Sequence, residues 1–383
     1  MNDLYSFRTE YIVIPVKSNT NLVDEYTKFI HDADALKKAT NGLINLYKTG
    51  SIKNTAMHLF DKLSKTIENP EPIRPDEARW IERATTGAVI WNEKYEGEAY
   101  EYDIKSQYPS LLRSQLILPT KRGEFKRETS EWFGNLKFFP TGIYRVKITA
   151  GTPEVESVSK QLFRFSFDNY YTHISLTHAR QLGLTLELIC DGVEDEPNIL
   201  LYPRSSCCTC VEAFGKYVDL LFPLKVAGVP LSKDLLNTLW GALSEILSKT
   251  KLVDSKDDAL MTFIPDDCTI RTMYPYQKDD EQVLFEVVSD LKYYKTNFAR
   301  IAPFLLSKGR VMIADIVYPH REFVKRIHTD GFLSTVKLEK VKTGSELGNL
   351  EYKGYCPHLE IKSNARPKGE FTLSENQPLP TSV

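Results

Sequence analysis

The chain of 383 residues lacks a long apolar run, a signal-like start and a strong net charge. No stretch of about 18 consecutive apolar residues is present, which argues against a transmembrane helix. The first residues, MNDLYSFRTE, show no basic segment followed by an apolar one, so no secretory signal is predicted. These absences predict a cytoplasmic protein that does not enter a membrane.

Basic residues are not in excess, because 49 Lys and Arg stand against 51 Asp and Glu. Binding to nucleic acid depends on the neutralisation of phosphates by Lys and Arg. The balance therefore weighs mildly against a nucleic-acid partner. It does not exclude one, since a protein can gather its basic residues along one cleft and keep its acidic residues elsewhere.

Cysteine is scarce, with six residues, and three of them form the cluster Cys207-Cys208-Thr209-Cys210. A structural zinc site normally needs two spaced pairs of Cys or His ligands. No second pair stands near this cluster. We therefore favour reduced, partly buried thiols over a zinc site.

Hydrophobic periodicity divides the chain into helical and strand-rich segments. The first eighty residues have mainly helical periodicity, including one long amphipathic helix over residues 24–48. Residues 97–104 and 142–150 are predicted as strands. Residues 323–338 are predicted as two short strands joined at Asp-Gly, a strong hairpin signal. Strands, a helical block and further strands predict an α+β fold.

The helical block lies at about residues 209–250. VEAFGKYVDLLFPLK predicts one helix, and SKDLLNTLWGALSEILSK predicts a second over residues 232–249, with AGVP as the turn between them. On the second helix Lys233, Asn237 and Gly241 follow one another at intervals of four and share a face. The ammonium and the amide would point into the same space, although for this segment alone a solvated lysine on an ordinary amphipathic helix is the favoured explanation.

Two aspartates stand where a carboxylate can be presented rigidly. Asp103 ends a predicted strand, and a tight turn then leads into a helix that Pro109 opens. Such an aspartate can hold a hard cation through oxygen, and the turn backbone can cradle a phosphate. Asp330 lies at the tip of the predicted hairpin. Taken singly, a solvated strand-end aspartate and a plain type I′ turn remain alternatives.

Taken together, in this order and spacing, the three segments resemble the core motifs of family B DNA polymerases. These motifs read approximately D-x-x-S-x-Y-P-S, K-x-x-x-N-S-x-Y-G and Y-x-D-T-D-S. The first is matched at Asp103, Ser106, Tyr108, Pro109 and Ser110. The second is matched at Lys233, Asn237 and Gly241, with Thr238 for Ser and Trp240 for Tyr. The third is matched at Thr329 and Asp330, with His328 replacing the first Asp and Gly331 replacing Ser.

Flanking segments resemble the protein-primed and viral branch of the family, over about residues 80–365. Thr85-Thr86-Gly87-Ala88 is similar to the Y-x-G-(G/A) element, with Thr in place of Tyr. Lys225 stands where the first fingers helix carries a triphosphate-binding basic residue. Lys362-Ser363-Asn364 keeps only the Lys of the K-x-Y element that holds the primer end.

The resemblance implies a polymerase palm with an antiparallel sheet, a helical fingers insertion and a helical N-terminal region. The implied regions are a helical region similar to the helices after an exonuclease domain (1–80), the first part of the palm (81–200), the fingers helices (201–250), the second part of the palm (251–365) and a polar tail (366–383).

The implied activity is template-directed addition of deoxynucleotides to a primer 3′ end by two-metal phosphoryl transfer. Mg²⁺ or Mn²⁺ would be held by the carboxylates of Asp103 and Asp330 and by the carbonyl of Ile104. The resemblance implies nucleotide binding by Ser106, Gln107, Tyr108, Lys225, Lys233 and Asn237. It implies contacts to primer or template at Thr86, Gly87, Trp240, Gly241, Thr329 and Lys362. Tyr108 would stack under the sugar and crowd a 2′-hydroxyl.

The first eighty residues show no strand with the Asp-x-Glu pair that proofreading exonucleases of this family use, so no 3′–5′ exonuclease activity is expected. Only about twenty residues follow the K-x-Y position, too few for a thumb domain. The expected partners are a DNA primer-template, dNTPs and a separate exonuclease, thumb or processivity subunit. Replication of a virus or an extrachromosomal element fits this branch of the family.

Two other functions remain open from the sequence. A catalytically silent polymerase-like scaffold subunit of a replication complex is favoured by His328, by the missing thumb and by the acidic net charge. The retention of Asp103, Lys233, Asn237 and Asp330 disfavours it. The second is a nucleotidyltransferase that copies RNA or initiates primers, against which Tyr108 argues.

Overall fold

The computed structural model describes residues 12, 21–64, 70–192, 196–254, 267–275, 282–289, 291–338, 341 and 343–372. The chain divides into two compact units. The helical unit contains Met1–Glu82, Leu116–Glu124 and Tyr202–Ala302, and the sheet unit contains Arg83–Gln115, Phe125–Leu201 and Pro303–Val383. Among the described residues, no helix is long and apolar enough to cross a membrane.

The helices and strands of the described residues follow one another along the whole chain. The α-helices are α1 (Leu22–Ala39), α2 (Leu46–Thr49), α3 (Ile52–Leu63), α4 (Pro75–Ala84), α5 (Gln107–Leu112), α6 (Ser130–Gly134), α7 (Pro153–Leu162), α8 (His173–Gln181), α9 (Cys210–Val226), α10 (Ser232–Leu243) and α11 (Ala302–Val317). The strands are β1 (Ile90–Asn92), β2 (Tyr95–Ile104), β3 (Ile117–Pro119), β4 (Glu124–Lys126), β5 (Gly142–Thr149), β6 (Tyr170–Thr172), β7 (Thr185–Leu188), β8 (Ile199–Leu201), β9 (Cys207–Thr209), β10 (Ser248–Asp254), β11 (Cys268–Pro275), β12 (Gln282–Ser289), β13 (Val324–His328), β14 (Gly331–Ser334) and β15 (Leu350–Ile361). Mixed helices and antiparallel sheets confirm the predicted α+β class.

The predicted long helix near the start of the chain is interrupted. Helix α1 begins at the Asn21 cap and ends at Ala39, where Thr40 bonds back to the Leu36 carbonyl. Asn41 and Gly42 then have φ of 49° and 78°, a left-handed conformation that stops a right-handed helix. The prediction of one helix to residue 48 is therefore wrong, and α2 is a separate short turn.

Helices α9 and α10 of the helical unit follow one another in sequence with a short turn between them, as predicted. A capping box of Thr209 and Glu212 begins α9. The buried Tyr217 hydroxyl on α9 donates to the Leu235 carbonyl on α10 at 2.7 Å, which fastens the two helices together. An intramolecular hydrogen bond of this kind stabilises a fold by about 1 kcal/mol.

The predicted extension of α10 to residue 249 is wrong. The helix ends at Leu243, and Ser244 Oγ bonds the Trp240 carbonyl at 2.8 Å. Residues from Ser248 onward form β10, which pairs antiparallel with β12 in a three-stranded sheet ordered β10-β12-β11. Tertiary pairing with a distant strand overrides the local helical periodicity here.

The sheet unit is built on an antiparallel sheet ordered β1-β13-β14-β2-β15. One face carries Tyr102, Ile104 and Phe332, which are buried in the same apolar cluster as Ile313 and Val317 of α11. Burying one such side chain stabilises a fold by about 1.5–3 kcal/mol. Because side chains alternate along a strand, Asp103 lies on the opposite face from Tyr102 and Ile104. A second sheet is ordered β4-β8-β5-β6, with β7 also paired to β5.

The predicted hairpin exists, but its turn lies one residue earlier than predicted. His328 pairs with Gly331, so the two loop residues are Thr329 and Asp330. Thr329 has a φ of 62°, and Gly331 already belongs to β14. The Asp-Gly pair therefore predicted the hairpin correctly, although Gly331 is not one of the two turn residues.

Candidate active site

Asp103 and Asp330 are brought together in the sheet unit. Strand β14 pairs antiparallel with β2, and Asp103 lies opposite Gly331, the residue after Asp330. The amide of Ile104 donates a hydrogen bond of 2.8 Å to the carbonyl oxygen of Asp330. Two segments that are far apart in the sequence therefore present their aspartates as backbone neighbours.

The electrostatics of the pair suit a divalent cation. Burial and then the charge of Asp330 raise the pKa of Asp103 to about 7. A divalent cation bound by both carboxylates would relieve this repulsion, and Mg²⁺ is commonly held by one or two carboxylates together with water and substrate phosphates. Among the described residues no group of three or more His, Cys, Asp or Glu side chains forms a metal cluster. The two carboxylates fit a metal site in which water and substrate phosphates supply the remaining ligands.

A cross-strand row surrounds Asp103. The row consists of His328, Gly331, Asp103 and Glu351, on the neighbouring strands β13, β14, β2 and β15. Glu351 was not predicted, because it stands in no motif and only strand pairing brings it beside Asp103. Lys353 occupies a bulge of β15 and forms an ion pair of 3.2 Å with Glu351.

Gly331 fills the tightest position in this row. A Cβ atom added there would lie 3.1 Å from the Tyr102 carbonyl and 3.2 Å from the Asp103 carboxylate. These separations are shorter than ordinary van der Waals contacts. Glycine at this position therefore lets β14 approach the Asp103 carboxylate of β2 closely.

The turn after β2 orients the next predicted residues. Ser106 has a φ of 54° and is the N-cap residue of α5. The side chain of Gln107 is buried and donates to the Gly309 carbonyl at 3.0 Å. Burial raises the pKa of Tyr108 to about 12, and the charge of Arg310 opposes that rise.

Arg310 bonds a predicted site segment and was not found by the motif analysis. Its guanidinium is buried and donates to the carbonyls of Thr86 and Gly87 at 2.6 and 3.1 Å. It also donates to Ser175 Oγ and Ser307 Oγ at 3.3 and 2.8 Å. The only signal in the sequence is an arginine within the apolar stretch of α11. Its contacts fix the backbone of the predicted primer-template element.

Five predicted residues lie in the helical unit. Lys233, Asn237 and Gly241 form an exposed stripe along α10, while Leu235 and Leu239 are buried. Lys225 is in the last turn of α9. Trp240 is half-buried on α10 beside the exposed stripe.

Two further predicted residues lie in the sheet unit. The amide of Thr329 donates to the Val89 carbonyl at 3.1 Å, so the hairpin tip is attached to the segment that precedes β1. Lys362 follows the last residue of β15, is exposed, and pairs with Glu360 at 2.7 Å. Both side chains remain accessible to a ligand.

The cysteine cluster offers no comparable site. Cys207 and Cys208 lie on β9, and Cys210 begins α9. All three are free thiols. Burial raises the pKa of Cys207 and of Cys208 to about 11, which keeps these thiols neutral near neutral pH.

Sequence comparison identifies the class of protein that this fold and site define. A model of the family described as "DNA polymerase type B, organellar and viral" matches residues 2–295. The match covers more than half of the chain, and the chain therefore belongs to this family of DNA polymerases. The match ends before β13 and β14, so Asp330 lies beyond it. No curated protein matches the sequence.

Solved structures with a similar fold include two complexes of Phi29 DNA polymerase. The complex with primer-template DNA is 13% identical with a TM-score of 0.58, covering 91% of this chain and 60% of that one. The complex with primer-template DNA and incoming nucleotides is 13% identical with a TM-score of 0.57, covering 96% and 67%. At these identities the likeness shows the fold alone. The chain spans about 60% of the length of the first of these polymerases.

Proposed function

We propose that the chain is the core of a template-directed DNA polymerase that adds deoxynucleotides to a primer 3′ end. The proposal rests mainly on the adjacency of Asp103 on β2 and Asp330, the loop residue directly before β14, the strand that pairs with β2. Asp103 lies within the family match and Asp330 lies beyond it. Membership of a DNA polymerase family and the likeness in fold to Phi29 DNA polymerase support it.

Mg²⁺ or Mn²⁺ would be held by the carboxylates of Asp103 and Asp330 and by the backbone carbonyl of Ile104. When bound, such ions supply Lewis acidity to the reacting oxygens and neutralise developing negative charge. The protein contributes a fixed pair of carboxylates, because the hydrogen bond from the Ile104 amide to the Asp330 carbonyl joins the two segments. Such preorganisation is the main protein contribution to phosphoryl transfer.

Nucleotide binding is proposed for six residues of the motifs and their flanking segments. Lys225, Lys233 and Asn237 would provide charge and hydrogen bonds to the triphosphate. Ser106 and Gln107 would contact the nucleotide, and the ring of Tyr108 would stack under its sugar. A ring in that position excludes a 2′-hydroxyl by steric overlap.

Primer and template would be contacted by six residues. These are Thr86, Gly87, Trp240, Gly241, Thr329 and Lys362. The support for Thr86 and Gly87 is that Arg310 fixes both carbonyls by hydrogen bonds and that Gly87 is exposed. We further propose that residues 81–200 and 251–365 are parts of a palm, and that residues 201–250 are fingers helices.

The N-terminal helices would serve a structural role. The described residues 21–64 contain α1, α2 and α3 and no strand that could carry an Asp-x-Glu pair. We propose that these residues have no proofreading exonuclease site, and that a separate exonuclease, thumb or processivity subunit acts with the core. Degradation of a labelled primer by the purified chain would contradict this.

Primer extension tests the proposed function. Purified protein with Mg²⁺ or Mn²⁺, a primer-template and dNTPs is expected to extend the primer, and Asp103→Ala and Asp330→Ala are expected to lose extension. Asp168→Ala, an exposed aspartate of the sheet unit, is the matched control. Equal extension by all variants would show that the catalytic assignment is wrong.

A silent scaffold is the second candidate, and His328 in the position of a motif aspartate favours it. The same assay separates the two. A wild-type protein that binds primer-template but extends it with neither metal ion would support the scaffold.

A further inference from the structure

Gly309 of α11 lies directly against the side chain of Tyr108. A Cβ atom added to Gly309 would lie 3.3 Å from Cε1 and 3.6 Å from Cζ of the Tyr108 ring. It would also lie 3.5 Å from Oε1 of Gln107. The 3.3 Å separation is tighter than a normal carbon–carbon contact of about 3.5–4.0 Å. A residue with a Cβ atom at this position would displace the ring by a few tenths of an ångström.

The same glycine is attached to the segment that carries Tyr108. Gln107 is buried and its Nε2 donates to the Gly309 carbonyl at 3.0 Å. Ser110 Oγ in turn bonds the Gln107 carbonyl at 2.7 Å, which closes the first turn of α5. Because Tyr108 directly follows Gln107, α11 fixes both the backbone of this segment and the depth of the ring.

Glycine is a poor choice for a helix interior on grounds of stability alone. It loses more backbone freedom on folding than alanine does. Helix α11 runs from Ala302 to Val317, so Gly309 lies at its middle. Its presence is therefore explained by the ring that it contacts rather than by the helix.

We propose that Gly309 is a positioning residue that sets the depth of the Tyr108 ring and thereby the room left for the sugar of the incoming nucleotide. This inference rests on the proposed polymerase function. The ring is half-buried, with α11 on its buried side. A methyl group at residue 309 moves the ring away from α11 by a few tenths of an ångström, towards the open side where the sugar stacks. Selection against a 2′-hydroxyl then depends on Gly309 as well as on Tyr108.

Insertion of a single nucleotide, with dNTP and with the matching rNTP, tests the proposal. The variants are Gly309→Ala, Tyr108→Val and the double variant, with Gly134→Ala as control, because a Cβ at Gly134 meets nothing within 4 Å. Gly309→Ala is expected to raise the dNTP-to-rNTP ratio of kcat/KM by about threefold to tenfold, mainly through a higher KM for the rNTP. In the Tyr108→Val background the same substitution is expected to have no effect on the ratio.

The outcomes separate this proposal from the function on which it rests. If Tyr108→Val alters the ratio and Gly309→Ala does not, the role of Gly309 is wrong and the polymerase assignment stands. If Gly309→Ala lowers all rates equally and lowers the Tm as well, Gly309 only packs the helix and the proposal is overturned. If the wild type inserts no nucleotide, both proposals fail.

Discussion

The amide of Ile104 bonds the carbonyl oxygen of Asp330 at 2.8 Å, which ties the end of β2 to the tip of the β13–β14 hairpin. The bond is made by backbone groups, so it does not depend on either aspartate side chain. It holds Asp103 and Asp330 side by side even though their charges repel. The site therefore stores an unfavourable interaction that a bound cation can relieve.

Asp103→Asn is expected to stabilise the protein in the presence of EDTA while abolishing primer extension. The pKa of Asp103 is raised to about 7, mainly by burial and next by Asp330. The wild type therefore loses stability as pH rises from about 4 to about 7, because the unfolded carboxyl ionises more readily than the folded one. Asparagine carries no charge and avoids this loss.

Thermal unfolding at several pH values checks this. After allowance for partial exposure, the gain at pH 8 should be on the order of 1 kcal/mol, or about 2–4 °C in Tm. Near pH 4 the wild type and the variant should unfold at the same temperature. A gain that is the same at both pH values would contradict the electrostatic explanation, and Asp168→Asn serves as the exposed control.

Gly331→Ala is expected to lower the rate of primer extension by about tenfold to a hundredfold. The added methyl group would lie 3.2 Å from the Asp103 carboxylate and 3.1 Å from the Tyr102 carbonyl, so the aspartate must move. The fold should lose only about 1–2 kcal/mol, measured by urea unfolding. Unchanged extension by a folded variant would show that the position of Asp103 tolerates the shift.

The case of Gly331 shows how far the sequence could predict the site. The Asp-Gly pair predicted a hairpin, and a hairpin is present, but the glycine is needed for close packing against Asp103 rather than for the turn. Periodicity alone cannot distinguish these reasons, because contacts between β2 and β14 are not local in sequence. Asp103 and Asp330 could be singled out from the sequence because motifs are defined by residue type and order along the chain.

Other parts of the fold could not be predicted because they depend on pairing between strands that are distant in the sequence, which hydrophobic periodicity does not reveal. Residues 248–254 continue a helical pattern in the sequence, yet they pair with β12. Strand β15 and the position of Glu351 follow from pairing with β2. Arg310 carries a clear physical signal, a charge within an apolar helix, but its partners are backbone carbonyls that no motif marks.

Arg300→Ala is expected to destabilise the helical unit without a direct effect on the active site. Arg300 is fully buried and bonds both carboxylate oxygens of Glu77 at 2.7 Å. Removing one partner of a buried pair leaves the other charge uncompensated and costs about 3–5 kcal/mol. The pair Arg300→Met with Glu77→Leu should cost less than either single change, and a double-mutant cycle by urea unfolding measures the difference. Additive losses would contradict a coupled pair.

Lys233→Ala is expected to raise the KM for dNTPs by about tenfold and to leave the Tm unchanged. The side chain is exposed on α10, so its removal takes away a charge and no packing. Lys216→Ala, an exposed lysine of α9, is the control for a general loss of positive charge. A fall in kcat with no change in KM would place Lys233 outside the contacts made to the bound nucleotide.

Lys353→Gln is expected to lower the Mg²⁺ concentration needed for half-maximal extension. Lys353 sits at the bulge of β15, pairs with Glu351 at 3.2 Å, and lowers the pKa of Asp103 against the larger effects of burial and Asp330. Its ammonium thus supplies part of the positive charge that a metal ion would supply. Without it the carboxylates carry more uncompensated negative charge and attract a divalent cation more strongly.

The expected change is about twofold to threefold, because an exposed ammonium is screened by solvent. Titration of primer extension with Mg²⁺ at constant ionic strength measures it. Lys325→Gln, which removes another paired lysine of the same sheet, is the control and should leave the Mg²⁺ requirement unchanged. A higher Mg²⁺ requirement for Lys353→Gln would mean that the lysine binds the phosphates of the substrate instead of offsetting the aspartates.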